Sequence, residues 1–211
     1  MSVKIILARE AEEKSLAYRL RYKVMCRDLG WLPSQDYPSE EEQDEYDAKQ
    51  SMAFLALDFI GNCAGTSRLI LPGKIALPIE NHFEILGKDL LEASYGKMDY
   101  CVEVSRFAVP DHPFLKNHEI TLKLCRAMIM TSIKMGVTHM LMSIDYRFFR
   151  LLKMLGFCLT EIGKPKFYMG SKTIPGVLSL TNLLPVLRNK KPSLYKYLTV
   201  DEEAVEETVA V

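Results

Sequence analysis

The amino-acid sequence predicts a mixed α/β fold with a largely antiparallel sheet. Short runs rich in apolar and β-branched residues predict strands at 3–7, 52–57, 64–71, 100–109 and 137–143. Gly61-Asn62 separates the second run from the third, which indicates a hairpin. An amphipathic stretch between the last two runs predicts a helical crossover, which joins parallel strands with right-handed topology.

The helices are predicted from apolar residues at i, i+4 and from a glycine just past each end. On these criteria, helices cover residues 9–28, 117–135 and 146–155. Weaker patterns predict strand segments at 157–160 and 166–170, and helical segments at 80–92, 177–187 and 193–198. Prolines and many acidic residues indicate a loop at 31–48. We expect one domain over residues 1–200, followed by an acidic, flexible tail at 201–211.

The composition excludes several classes of protein. Of 211 residues, 48% are hydrophobic and 26% charged, which suffices for a sizeable core. The 27 Lys and Arg balance the 27 Asp and Glu, so no net basic surface for nucleic acid is expected. The five cysteines are odd in number and lack a C-x-x-C pair, which indicates a reduced protein without a zinc site. No signal peptide and no transmembrane segment are evident, so a cytoplasmic location is expected.

Charged residues in apolar surroundings point to a functional site. Glu103 and Arg106 lie in the middle of the predicted buried strand at 100–109. Buried charges are costly unless they are paired or used. Four more charges in the first third of the chain are candidates for the same cleft: Arg21, Asp44, Asp47 and Arg68. The structural alternative is a buried ion network that fixes the acidic loop onto the sheet.

These charges carry a family resemblance. The matching segments, in order, are Arg21-Tyr22 with Trp31, Asp44-Glu-Tyr-Asp47, Gly65-Thr-Ser-Arg68-Leu and Glu103-Val-Ser-Arg106-Phe107. Over about half of its length the chain resembles the autoinducer-synthase branch of the GNAT acyltransferases. That branch includes acyl-homoserine-lactone synthases and long-chain N-acyl amino acid synthases. The resemblance implies a GNAT-like three-layer α/β fold, in which a splayed strand pair of the mostly antiparallel sheet forms a V-shaped cleft.

The resemblance also implies roles for these residues. Acyl transfer to an amine needs a base for the ammonium proton, donors for the oxyanion and a grip on the acceptor. Glu103 is the only carboxylate inside a predicted buried strand, so we expect it to be the catalytic base, acting through a water. The residues expected to bind substrate are Arg21, Trp31, Asp44, Asp47, Arg68, Ser105, Arg106 and Phe107.

One structural requirement follows from the spacing of Glu103 and Arg106. The two residues are three apart, and alternation places them on opposite faces of a regular strand. Both can serve one cleft only if a β-bulge shifts the alternation between Val104 and Arg106.

The donor is expected to arrive on acyl carrier protein. CoA-dependent relatives cradle the pyrophosphate with a glycine-rich turn, whereas residues 110–119 contain no glycine. We therefore expect an acyl-phosphopantetheine donor and no permanently bound cofactor. The expected docking residues for the acidic carrier are Lys123, Arg126, Arg147, Arg150 and Lys153, although an ordinary solvated helix face has the same pattern. The expected acyl pocket is Met128, Met140, Met142, Phe148 and Phe149, for which a purely core role is the alternative.

The function predicted from these residues is N-acyl amino acid synthesis. Met25 stands where lactone synthases usually have phenylalanine. This difference and a resemblance in the segments Thr66-Ser67-Arg68 and Leu178-Ser179-Leu180 favour transfer of a long fatty acyl group to the α-amine of an amino acid. By resemblance alone, tyrosine is the first acceptor to consider. Two alternatives remain open: an acyl-homoserine-lactone synthase that uses S-adenosylmethionine, and an inert GNAT-like module that binds lipid or carrier protein. The four histidines have no spacing typical of a metal site.

Overall fold

The computed structural model describes residues 3–96, 98–113 and 116–199. The described part of the protein forms two compact units. Among the described residues, the first unit comprises those within 3–69 and 106–131, and the second comprises those within 70–105 and 132–199. The predicted tail at 201–211 lies outside the described residues, and the prediction of one domain over 1–200 stays a prediction.

The first unit is built on antiparallel strands covered by a helix. Strands β1 (Lys4–Ala8) and β2 (Ser51–Leu57) pair antiparallel, with Ile6 opposite Leu55. A turn then leads into β3 (Cys63–Ile70), and the Asp58 amide donates to the Asn62 carbonyl at 2.9 Å. The predicted hairpin strands are thereby confirmed.

Small side chains bring the first helix close to these strands. Helix α1 (Ala11–Arg21) buries Ala17 completely, and this residue packs with Ala8, Ala53 and Leu55. Three alanines at one contact permit a short distance between helix and sheet, because little side-chain volume separates the two backbones.

The helix predicted at 9–28 changes its form halfway. After Arg21 the chain widens into a π-helix over Tyr22–Asp28, which leaves Met25 buried. At its end the Leu29 amide donates to the Val24 carbonyl, five residues back, at 3.0 Å. A π turn inserts an extra residue into the helical repeat, a change that an i, i+4 pattern does not reveal.

The second unit contains the parallel strand pair. Strand β4 (Cys101–Ala108) pairs parallel with β5 (His139–Asp145), and α4 (Asn117–Lys134) connects them in sequence. Strand β8 (Ser171–Ser179) runs antiparallel to β5 and also pairs antiparallel with the short strands β6 (Thr160–Glu161) and β7 (Lys166–Tyr168). The single parallel pair among these antiparallel ones confirms the predicted mixed α/β class.

Strand β8 is the main difference from the sequence-based prediction, which assigned no element to 171–176 and began a helix at 177. Helix α6 (Leu180–Lys190) confirms the predicted helix from Leu180 onward. The strand continues to Ser179, and Pro175 lies inside it, opposite Ser143. Proline has no amide to donate to a strand ladder, so its presence argued against a strand. Its carbonyl still accepts from the Ile162 amide at 2.9 Å.

The remaining helices are α2 (Pro78–His82), α3 (Lys88–Tyr95), α5 (Tyr146–Leu155), α6 (Leu180–Lys190) and α7 (Pro192–Thr199). The predicted helix at 146–155 is confirmed with the same bounds. Across the described ranges, no helix has the length and apolarity that crossing a bilayer requires.

Candidate functional site

The backbone of β4 breaks its alternation at Arg106. This residue has φ +52°, in the left-handed region that non-glycine residues rarely adopt. The pairing of β4 with β5 extends from Cys101 opposite His139 to Val104 opposite Met142. A left-handed residue two positions beyond the last β4–β5 pair therefore interrupts the regular strand where the sequence predicts a shift, and the prediction that this brings Glu103 and Arg106 to one cleft stays a prediction. Such a conformation costs about 1–3 kcal/mol, which the contacts of the arginine side chain must offset.

A network of three arginines and three carboxylates occupies the first unit. Arg21 makes a bidentate pair with Asp47, through Nη1 to Oδ1 at 2.8 Å and Nη2 to Oδ2 at 2.9 Å. The Nε of Arg21 donates to Glu42. Two different carboxylates therefore hold one guanidinium on two edges, which fixes its plane.

Arg68 joins the two aspartates of the acidic loop. Its Nη1 and Nη2 donate to the two carboxylate oxygens of Asp44 at 2.6 and 2.7 Å. Its Nη1 also lies 2.9 Å from Oδ2 of Asp47. Asp44 and Asp47 therefore both contact the Arg68 guanidinium, and their predicted role in binding substrate stays a prediction.

Arg106 completes the network from β4. Its Nε donates to Glu42 Oε1 at 3.0 Å, and its Nη2 donates to Asp44 Oδ2 at 3.1 Å. Glu42 therefore bridges Arg21 and Arg106, while Asp44 bridges Arg68 and Arg106. The six side chains carry three positive and three negative formal charges, so the network is neutral overall.

Exposure divides the six members into two groups. The side chains of Arg21, Glu42, Asp47 and Arg68 are at most 3% exposed. Asp44 and Arg106 keep 23% and 14% of their side chains exposed. The four buried members fit the structural alternative, a network that fixes the loop. Asp44 and Arg106 are the two that a substrate can reach.

The network keeps its carboxylates ionised. Burial alone would raise the pKa of Asp47, but the hydrogen bonds and charge of Arg21, with the charge of Arg68, hold this pKa well below its usual range. Burial likewise opposes ionisation of Glu42 and Asp44, and the arginines lower both pKa values. For Arg21, burial lowers the pKa, but the charges and hydrogen bonds of Glu42 and Asp47 together outweigh burial and leave the pKa raised.

Backbone contacts hold the acidic loop in place. The Glu42 amide donates to the Tyr18 carbonyl on α1 at 3.1 Å. The Asp44 amide donates to Asp47 Oδ2 at 2.9 Å, and the Tyr46 amide donates to Asp44 Oδ1 at 3.0 Å. The contact between Tyr46 and Asp44 is an Asx turn, and together the two contacts close a tight turn that presents both aspartates to the arginines.

Glu42 is the member of the site that sequence reasoning missed. It is 0% exposed, although the acidic residues around it predict a solvated loop. Glu42 lies two residues before Asp44, just outside the matched segment, and the run of glutamates at 40–42 offers no local means to choose one of them. The aromatic rings beside the network were also missed: Arg21 lies over Tyr18 at 5.3 Å and Arg68 over Tyr46 at 5.8 Å.

Glu103 lies in the second unit and is 1% exposed. Its Oε2 accepts from the Ile79 amide at 2.8 Å, and its Oε1 accepts from the Ser143 hydroxyl at 3.3 Å. A buried carboxylate held by two donors is confined to one orientation. The prediction that Glu103 shares one cleft with the arginines stays a prediction.

The other predicted residues differ in exposure. Trp31, Ser105 and Phe107 are half-buried. Of the residues predicted for the acyl pocket, Met128 is buried in the first unit. In the second unit Met140, Met142 and Phe149 are buried and Phe148 is half-buried. Their role in an acyl pocket stays a prediction.

The predicted docking residues separate by exposure. Arg147, Arg150 and Lys153 are exposed on α5. Arg126 is buried at 9% exposure, and the half-buried Lys123 donates to the Val3 carbonyl at 3.0 Å. Burial removes Arg126 from the basic surface that a carrier protein would contact. No group of side chains suited to a metal ion occurs among the described residues.

Solved structures agree on the fold. A CoA-dependent acyl-homoserine lactone synthase, BjaI, matches with a TM-score of 0.70 at 18% identity, over 95% of this chain and 92% of that one. The N-acyl amino acid synthase FeeM matches with a TM-score of 0.64 at 17% identity, over 87% and 95%. A putative N-acetyltransferase from Lactobacillus plantarum matches with a TM-score of 0.58 at 15% identity, over 85% and 99%. At these identities the likeness establishes a GNAT-like fold alone.

Curated relatives overturn the predicted N-acyl amino acid synthase. An acyl-homoserine-lactone synthase of Agrobacterium fabrum (strain C58) is 32% identical over 165 residues, 76% of each chain. One of Aliivibrio fischeri is 31% identical over 180 residues, 82% of this chain and 89% of its own. The prediction relied on Met25 and on two three-residue segments, and such short local features discriminate poorly between related enzymes.

The comparisons also establish the family. The autoinducer synthase family model matches residues 6–183, which include every member of the ion network and Glu103. The curated relatives match over three quarters or more of this chain. The chain belongs to the autoinducer synthase family of acyltransferase-type enzymes.

Proposed function

We propose that this protein is an acyl-homoserine-lactone synthase that uses S-adenosylmethionine as its acceptor. The single observation that carries the proposal is the 30–32% identity to three curated acyl-homoserine-lactone synthases. The solved structure of BjaI contains S-adenosylmethionine, and another of the same enzyme contains MTA, which we take as 5′-methylthioadenosine.

The proposed reaction has two steps. In the first, the α-amine attacks the thioester carbon of the acyl donor; the C–S bond breaks, an amide forms and the thiolate leaves with a proton. In the second, the carboxylate oxygen of the acylated methionyl group attacks its own γ-carbon. The bond from that carbon to the sulfonium breaks, which closes the lactone and releases 5′-methylthioadenosine.

The ion network suits the charges of this acceptor. S-adenosylmethionine carries an ammonium, a sulfonium and a carboxylate. Asp44 and Arg106, the two partly exposed members, offer one negative and one positive group to these charges. Because the four buried members already neutralise one another, Asp44 and Arg106 are held in place without reorganisation when the acceptor binds.

Glu103 is proposed as the base that removes the ammonium proton, through a water. Its carboxylate is buried and held by two donors, so little orientational freedom remains to be lost in the proton transfer. Glu103→Gln keeps the shape and removes the basic oxygen. We expect it to lower kcat by about 10²- to 10⁴-fold, the usual contribution of a general base.

Acyl carrier protein is proposed as the donor. Residues 110–119 contain no glycine for close approach to a pyrophosphate, and α5 presents Arg147, Arg150 and Lys153 to solvent. We expect charge reversal at Arg150 to raise KM for the acyl carrier protein and to leave KM for S-adenosylmethionine unchanged. Equal turnover with acyl-CoA would refute the choice of donor while leaving the lactone synthase proposal intact.

The deciding experiment is mass spectrometry of reactions that contain purified protein, S-adenosylmethionine and acyl carrier protein loaded with chains of several lengths. Acyl-homoserine lactone and 5′-methylthioadenosine are expected in equal amounts, and both are expected to disappear in Glu103→Gln. The proposal fails if folded protein yields no lactone with any donor, or if free amino acids are acylated in its place.

A further inference from the structure

The environment of Glu103 assigns a role to Ser143. Ser143 lies on β5 of the second unit, and its hydroxyl donates to Glu103 Oε1 at 3.3 Å. The other carboxylate oxygen, Oε2, accepts from the Ile79 amide at 2.8 Å. The carboxylate is therefore held at both oxygens, from two different elements.

The register of the strands explains why Ser143 reaches Glu103. Glu103 pairs with Leu141, and paired residues in a parallel sheet point to the same face. Ser143 is two residues beyond Leu141, so its side chain returns to that face. On β5 the pairing with β8 continues past Ser143 to Asp145, which keeps this part of the strand in place.

The start of α2 explains the second donor. The first amides of a helix have no partner within the helix. Pro78, at the first helical position, has no amide, so Ile79 supplies the first one available, and Ile79 is completely buried. Glu103 accepts this bond, which by itself is an ordinary structural role for a carboxylate. The hydroxyl of Ser143 is not needed for that role.

We propose that Ser143 is the positioning residue of Glu103, holding its carboxylate ionised and in one orientation for proton transfer. The proposal rests on the proposed function, in which Glu103 is the base. A hydrogen bond to a charged acceptor stabilises the ionised form, so its loss favours the protonated carboxyl. The other charged or titratable side chains on these elements are Cys101 and Arg106 on β4, His139 and Asp145 on β5, and Glu80 and His82 on α2.

The test compares Ser143→Ala with Ser143→Thr, which keeps a hydroxyl. We expect Ser143→Ala to lower kcat about tenfold at neutral pH, in line with one lost hydrogen bond to a charged group, and to leave KM for S-adenosylmethionine unchanged. The acidic limb of its pH–rate profile should move to higher pH, and Ser143→Thr should restore both properties. Ser171→Ala is the matched control, because this hydroxyl on β8 contacts Thr173 at 3.2 Å.

A second measurement is independent of turnover. Carboxyl ¹³C NMR of glutamate-labelled protein, with Glu103→Gln used for assignment, follows the titration of Glu103 directly. We expect its midpoint to rise in Ser143→Ala and to stay unchanged in Ser171→Ala. Thermal unfolding of each variant distinguishes a lost fold from a lost contact.

The outcomes separate the two proposals. An unchanged Glu103 titration and pH–rate profile in Ser143→Ala overturns the role of Ser143, even if Glu103→Gln is inactive. A change confined to KM for the acyl donor also overturns the role of Ser143, because the hydroxyl then acts by contacting the donor. Wild-type turnover in Glu103→Gln instead refutes Glu103 as the base, and no lactone from the wild-type protein refutes the proposed function.

Discussion

Glu42 offers a sharp test of the ion network. Its side chain is 0% exposed and bridges Arg21 and Arg106. Arg21 also pairs with Asp47, and Arg106 also pairs with Asp44. Glu42→Gln keeps the size of the side chain and removes one negative charge. The network then carries a net positive charge in a buried setting.

The expected loss of stability follows from that burial. Removing one partner of a buried ion pair costs about 3–5 kcal/mol, because it leaves an uncompensated buried charge. For a protein of this length each kcal/mol corresponds to about 2–4 °C in Tm, so a decrease of about 6–20 °C is expected. Chemical denaturation gives the free energy of unfolding directly, and circular dichroism gives Tm.

Glu41→Gln is the matched control in the same loop. Glu41 pairs with Arg19, whose side chain is 68% exposed, at 3.1 Å. The Glu41 side chain is 19% exposed and also accepts from the Ser15 hydroxyl, but because Arg19 lies in solvent the ion pair itself contributes only about 0–1 kcal/mol. If Glu42→Gln costs no more than Glu41→Gln, the network does not hold the loop and our reasoning is refuted. The double variant Glu42→Gln, Arg21→Gln should lose less stability than the sum of the two single variants, because Arg21→Gln removes the positive charge that Glu42→Gln leaves uncompensated.

Three further predictions concern the network and the packing around β3. Asp44→Asn should raise KM for S-adenosylmethionine and lower Tm less than Glu42→Gln, since Asp44 keeps 23% of its side chain exposed; steady-state kinetics and thermal unfolding check this. In the folded state, the pKa of Glu42 lies below its ordinary value of 4.5, and the pKa values of Asp44 and Asp47 lie below 3.8, so the unfolded state binds more protons. The free energy of unfolding should therefore decrease as the pH falls below these ordinary values. Urea titrations at several pH values measure this decrease, and a flat profile would contradict the network. Gly65→Ala should cost about 1–3 kcal/mol, because the new Cβ would lie 2.7 Å from Ile120 Cγ2, whereas Gly87→Ala, with open space around it, should be nearly neutral in the same denaturation assay.

Much of the fold was predictable because local patterns dominate it. The helix at 146–155 has an aspartate cap, whose side chain accepts from Arg147 and Phe148 amides, and a left-handed glycine at its end. Both signals are local, and both bounds were predicted. Strand β8 was not predictable, because proline is unfavourable within a strand. Whether a strand tolerates Pro175 depends on how the neighbouring strands pair with it, which local sequence does not show. The π-helix after Arg21 likewise leaves no trace in apolar spacing.

The candidate site divides in the same way. Charges inside apolar runs, and the order of the matched segments, identified five of the six network members and Glu103 from residue type alone. The need for a break near Arg106 also followed from the sequence, because side chains alternate between the two faces of any regular strand. Glu42 escaped detection because burial of one glutamate among several is a property of the folded loop.

The sequence by itself therefore determined the fold class, the family and the kinds of charge at the site. The tertiary structure decided which carboxylate meets which arginine, and that Asp44 and Arg106 remain partly exposed while the other four are buried. It also placed the Ile79 amide and the Ser143 hydroxyl on Glu103. The physical reason is distance: alternation, caps and turns act over a few residues, whereas ion pairing and burial join residues 21 to 64 positions apart in this network.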